Sequence, residues 1–117
     1  MRILVVSKMF ASRGMVVLAL KEGAFTILEA SSGAEALGIL EDTHCESVWV
    51  DPFELDMGGL ELIIKAREMF PGLLTVLLAS SLNDPYDPLH VTTRVAKPLF
   101  SWQIQKVADE LLLLHGG

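Results

Sequence analysis

Asp51 follows the apolar run Ser47-Val48-Trp49-Val50 and opens the stretch Asp51-Pro52-Phe53-Glu54-Leu55-Asp56-Met57. Three more polar groups stand at the ends of apolar runs: Ser7-Lys8, Ser80-Ser81 and Lys97-Pro98. Brought together, they make a carboxylate between two ammonium groups. Cations on both sides favour the charged carboxylate and lock it into one electrostatic state. The same set makes a poor Mg²⁺ site. That ion is hard and octahedral and takes carboxylates, carbonyls and water. A Lys ammonium has only donors, and Ser7 is at best a weak ligand. Glu54 and Asp56 could add oxygens from the following loop, but they read as solvated loop acids. Ser80 is a hydroxyl donor or, equally, a turn or cap residue. His44, His90 and His115 show no ligand spacing and read as surface residues. Gly58-Gly59 opens a helix but lacks the dinucleotide fingerprint.

The elements between these groups alternate. Ile3 to Val6, Phe25 to Leu28, Ser47 to Val50, Leu74 to Leu78 and a weaker Thr92 to Ala96 are short apolar runs of the kind buried on both faces of a sheet. Helical patterns separate them. Ser12 is expected to cap a helix over Arg13 to Glu22 that Gly23 ends. Ser32 with Glu35 forms a capping-box signature. Gly58 to Phe70 carries Leu60, Ile63 and Ile64, and Pro71-Gly72 stops it. Ser101 is expected to cap a last helix with an apolar stripe of Ile104, Val107, Ala108 and Leu111. Strands alternating with helices imply right-handed βαβ units and a parallel sheet. Functional groups then gather beyond the carboxyl ends of the strands, where the four polar groups stand. Only Leu82 to Val91 breaks the pattern, because Pro85 and Pro88 leave room for at most one helical turn.

The composition excludes several classes. Half of the 117 residues are apolar (51%), which excludes a disordered chain. No apolar run reaches the roughly 18 residues of a spanning helix, and no export signal is expected ahead of the first strand. The single Cys45 rules out an internal disulfide and suits a reducing, cytoplasmic location. A formal charge of −6 argues against nucleic acid as a partner. The chain is taken as one domain over residues 1–117.

The ordered set of these residues resembles the receiver domain of bacterial response regulators. Asp51 falls at the phosphoacceptor position of that family, Gly59-Leu60-Glu61-Leu62 at the helix start after it, and Ser80 where the family has Thr or Ser. Lys97-Pro98 matches its Lys-Pro pair, often joined by a cis peptide, and Arg2 to Val6 matches its first strand. The resemblance implies a flavodoxin-like, doubly wound sheet in the order 2-1-3-4-5, two-component signalling, and a site of Asp51, Ser80 and Lys97. Four departures accompany it. The acid pair that holds Mg²⁺ is replaced by Ser7 and Lys8, the loop proline by Leu55, and the aromatic switch residue by Arg94. The segment from Ser80 to Lys97 is short, which implies a shortened or missing fourth helix.

Phosphoryl transfer to a carboxylate needs charge neutralisation, usually by a metal. Without the acid pair, Asp51 is expected to form an ion pair with Lys8 and Lys97, and the chain to be a non-enzymatic pseudo-receiver that needs no cofactor. The alternative is a working phosphoacceptor, modified on Asp51 by a histidine kinase with Mg²⁺. Expected partners are signalling proteins, a histidine kinase or an output domain, or a second copy, with no membrane or nucleic acid. Val16, Val17, Leu20, Trp102 and Leu113, on the first and last helices, are expected to form the interaction face.

Overall fold

Successive side chains of a strand leave on opposite sides. Ile3, Val5, Trp49, Val76 and Leu78 therefore project to one side, and Leu4, Val6, Val48, Val50 and Leu77 to the other. Both sets are buried, so the sheet must be covered on both faces. The structure, a computed structural model, describes residues 1–80 and 87–116. Strands β1 (Arg2–Val6), β2 (Thr26–Ala30), β3 (Ser47–Val50), β4 (Leu74–Ala79) and β5 (Thr93–Ala96) form a parallel sheet in the order β2-β1-β3-β4-β5. This is the flavodoxin-like order expected from the sequence.

Helices α1 (Phe10–Leu20) and α4 (Ser101–Gly116) cover one face, burying Val16, Leu20, Ile104, Ala108 and Leu111 against it. Helices α2 (Gly33–Asp42) and α3 (Gly59–Met69) cover the other with Ala36, Leu40, Leu62, Ile63 and Ala66. Ser32 caps α2 as expected, its hydroxyl accepting the Glu35 N–H at 3.0 Å. No helix among the described residues is long and apolar enough to cross a membrane.

Two helix starts differ from expectation. The first helix begins at Phe10 rather than Arg13, with Met9 as the preceding residue, so Ser12 lies inside the first turn. Ser101 is the first residue of α4, and the Phe100 carbonyl accepts the N–H groups of Gln103 and Ile104. Between β4 and β5, residues 81–86 lie outside the described part, and with them half of the stretch from Leu82 to Val91 expected to be irregular. The described remainder is one turn closed on Asp87. Its carbonyl accepts from His90 and Val91, and its carboxylate from the Leu89 N–H.

Candidate functional site at the strand ends

The ladder continues one residue past three strands and thereby fixes three side chains. The Ser7 N–H donates to Ala30 O at 3.0 Å, the Asp51 N–H to Val6 O at 2.9 Å, and the Lys97 N–H to Ala79 O at 2.8 Å. Asp51 is only 1% exposed, and a buried carboxylate needs partners to offset its lost hydration. It has three. Lys97 Nζ stands 2.7 Å from Oδ1, and the Phe53 N–H donates to the same oxygen at 3.1 Å. Ser7 Oγ approaches Oδ2 at 3.4 Å while also lying 3.3 Å from Met9 O, so its proton is shared between them.

The lysine is clamped from a second side. Its ammonium lies 5.8 Å from the centroid of the Phe53 ring, within cation–π range. The Lys97-Pro98 peptide is cis. Ser80 follows β4 directly and is exposed, and the pairing of Ala79 with Ala96 puts it level with Lys97. The strand ends therefore bring Asp51, Ser7, Ser80 and Lys97 to one edge, as the alternation of elements implied.

Lys8 corrects the expectation. Its ammonium pairs with Glu54 at 3.8 Å, both side chains being more than half exposed, and it is not within ion-pairing distance of Asp51. Consecutive residues of an extended segment project oppositely. Ser7 turns inward, so Lys8 turns out to water and keeps its hydration. Glu54 holds a positive φ of 50°, in a turn closed by the Leu55 N–H on Pro52 O at 3.3 Å.

Asp56 is not a merely solvated acid. Its carboxylate accepts the Gly33 N–H at 2.6 Å and the Ala34 N–H at 3.2 Å, two of the amides a helix N-terminus leaves without partners. The Gly33 bond, followed by that from Ala34, holds the Asp56 carboxyl below its ordinary range despite some desolvation. This long-range cap has no local sequence signature. Arg13 is the other missed residue. Its guanidinium donates to Ser7 O at 2.8 Å and to Glu29 Oε1 at 3.1 Å, tying the turn after β1 to β2.

The residues present do not fit a hard divalent cation. Asp51 Oδ1 is engaged by the ammonium and the Phe53 amide, the neighbouring hydroxyl of Ser7 is a weak ligand, Glu54 faces Lys8, and Asp56 caps α2. No three His, Cys, Asp or Glu side chains converge among the described residues.

The expected interaction face is also corrected. Val16, Val17 and Leu20 are buried in the protein's own core. The apolar length of α1 is used on two sides, against the sheet and against α4, and the large apolar residues that α1 exposes are instead Phe10, Met15 and Leu18. Trp102 and Leu113 do face solvent.

No protein-family model matches the chain. The transcriptional regulatory protein YhcZ of Bacillus subtilis is 30% identical over 93 residues, which cover 76% of this chain and 42% of that protein. The chain thus corresponds to less than half of its curated relative's length. Among solved structures, the chemotaxis response regulator CheY4 of Vibrio cholerae superposes with a TM-score of 0.86 at 19% identity, covering 95% of this chain and 98% of that one. The response regulator TrrA of Thermotoga maritima, in complex with Mg²⁺ and BeF, superposes at 0.85 with 24% identity and the same coverage. NtrX of Brucella abortus, in complex with ATP, superposes at 0.87 with 21% identity over 97% of this chain and 27% of that one. The sheet order, the strand-end carboxylate and these superpositions together give the chain the fold of CheY-like response-regulator receiver domains.

Proposed function

We propose that the chain is a response-regulator receiver module whose strand-end carboxylate is neutralised by a lysine rather than a metal. In this reading it works as a regulatory protein-interaction domain, not as an efficient phosphoacceptor. The observation that carries the proposal is the buried Asp51–Lys97 pair at 2.7 Å, with the hydroxyl of Ser7 in place of an acid on its other side. For Asp51 to attack a phosphoryl group, that pair must loosen and two sets of negative charge must meet. Lys97 supplies one compensating charge where phosphoryl transfer usually uses a divalent ion as well. The module would act in the cytoplasm, without catalysis or a cofactor of its own. Its partners would be a histidine kinase or an output domain, and the similarity to a transcriptional regulator favours the latter.

A second reading has its own support. Asp51, Ser80 and Lys97 share one edge in the arrangement of a phosphoacceptor site, so the chain could take a phosphoryl group from a histidine kinase with Mg²⁺ present. Intact-mass measurement after incubation with Mg²⁺ and acetyl phosphate separates the two. Under the first reading the wild-type chain gains little mass, and Ser7→Asp combined with Lys8→Asp gains a phosphoryl adduct that Asp51→Asn abolishes. Efficient, Mg²⁺-dependent modification of wild-type Asp51 would establish the second.

A further inference from the structure

The end of the sheet opposite Asp51 holds an open cavity of about 340 Å³. Its walls are the residues that lead into β3, the turn from Met69 to Leu73 between α3 and β4, and His115 of α4. Leu73 and Cys45 are buried, and Met69 and Phe70 are half-buried against the same core. Burial pushes the Cys45 thiol up, so it is a neutral part of an apolar wall. One acid interrupts that wall. Glu46 is fixed by the Arg2 N–H, which donates to Oε2 at 2.9 Å. Desolvation opposes its charge, but this bond leads the effects that outweigh it, and the carboxyl stays below its ordinary range. The Arg2 guanidinium is turned to the backbone, donating to His44 O at 2.8 Å. Among the described residues no Lys or Arg lines the cavity, and His44, Cys45 and His115 do not converge as metal ligands. Helix α3 ends at Met69, on the cavity wall, and a helix C-terminus carries negative partial charge.

We infer that this cavity is a binding site for an apolar primary amine, with the ammonium at Glu46 and the hydrocarbon against Met69, Phe70 and Leu73. Charge selects the class of ligand. A carboxylate set in an apolar wall gains from a cation that replaces its lost water, and it repels an anion. A neutral apolar ligand would cover Glu46 without giving it a partner. An ammonium has three donors, and Glu46 with the unprotonated rings of His44 and His115 at the rim offers acceptors for them. The volume lies near the low end of small-molecule pockets, which run from about 300 to 1,000 Å³, so the ligand is a short alkyl or aryl amine. The four residues of β3 separate Glu46 from Asp51, which puts the two sites about 16 Å apart. The inference stands whichever reading of Asp51 holds.

Amide NMR shifts of the labelled chain, titrated separately with hexylammonium, hexanol and hexanoate, test it. The three probes share a tail and differ in the charge of the head group. Hexylammonium should move the amides of Cys45, Glu46, Phe70 and Leu73 saturably and leave those of Asp51 and Phe53 in place. A ligand this small should have a Kd of about 1 mM. Hexanol should bind about tenfold more weakly, the low end for a charged hydrogen bond, and hexanoate more weakly still. Glu46→Gln keeps an oxygen for the Arg2 N–H and removes the charge. It should weaken hexylammonium by about tenfold and leave hexanol unchanged, and its spectrum reports that the variant is folded. The probe series on the wild-type chain stands without any variant. Equal binding of hexylammonium and hexanol would overturn the inference, as would a preference for hexanoate. So would shifts confined to other parts of the chain, or an affinity for hexylammonium that Glu46→Gln does not change.

Discussion

Lys97 Nζ stands 2.7 Å from Asp51 Oδ1 across 46 residues of sequence, and the two side chains are unequally hidden, at 25% and 1% exposure. The asymmetry decides what each substitution does. Lys97→Met leaves a carboxylate with no cation in a place water does not reach, and should cost about 3 kcal/mol, the low end for a broken buried pair. Asp51→Asn keeps the shape and leaves an ammonium that can swing to water, so it should cost clearly less. Urea unfolding of the two single variants and the double gives the coupling energy. Equal costs for the two single changes would show that the pair is not buried as described.

Ser7→Asp sets a second carboxylate beside Asp51, since the Ser7 hydroxyl is 3.4 Å from Asp51 Oδ2. Like charges at that range repel, so the variant should unfold at a lower temperature than wild type in EDTA. With millimolar Mg²⁺ the variant should recover stability and wild type should not. Thermal melts with and without the ion measure the difference. A wild-type melting temperature that rises with Mg²⁺ as steeply as the variant's would contradict the site chemistry above.

Asp56 should make stability depend on pH. Its two bonds from the first amides of α2 hold its folded-state carboxyl below the ordinary carboxylate value. The stabilisation is therefore fully present above the ordinary value and is lost as pH falls through the lower, folded value. Asp87 behaves alike, its carboxyl lowered first by the bond with the His90 ring and then by the Leu89 amide. Asp56→Asn should be less stable than wild type near neutrality, and the gap should close in acid. Melting temperatures of both proteins across that range would show it.

Two glycine substitutions should act in opposite directions. A Cβ on Gly59 would sit 2.6 Å from Pro52 Cβ and 3.2 Å from its Cα, so Gly59→Ala pushes α3 away from the loop that begins at Asp51. The expected cost is about 1–3 kcal/mol. Gly38, inside α2, has nothing within 4 Å of such a carbon. Gly38→Ala should stabilise by up to about 1 kcal/mol, because alanine is the better helix former. Denaturant midpoints of the two variants decide the matter.

The parallel sheet was legible because every strand is a short apolar run bounded by polar residues and separated from the next by a helical pattern; its order was implied by the resemblance to receiver domains. Asp51, Ser7, Ser80 and Lys97 were legible as neighbours for the same reason: each directly follows a strand. What was hidden depends on direction and on distant partners. Lys8 is one residue from Ser7, yet its side chain leaves on the other side and finds Glu54. Asp56 caps a helix whose first residue is 23 positions earlier, beyond any local pattern. The apolar length of α1 was visible, but not that α4 already covers Val16, Val17 and Leu20.

The position of Lys97, just past β5, has a consequence for local opening. β5 is four residues long and, among the described residues, pairs only with β4, and such an edge strand ordinarily frays, its amides exchanging with solvent long before the sheet unfolds. Here, peeling β5 away would withdraw the ammonium and strand Asp51 without its cation at the end of β3. The edge is latched from inside. The bonded amides of Thr93 to Ala96 should therefore exchange in step with those of β3, and in Lys97→Met they should exchange faster than β3 does. Hydrogen exchange followed residue by residue would reveal the latch as the loss of that shared protection.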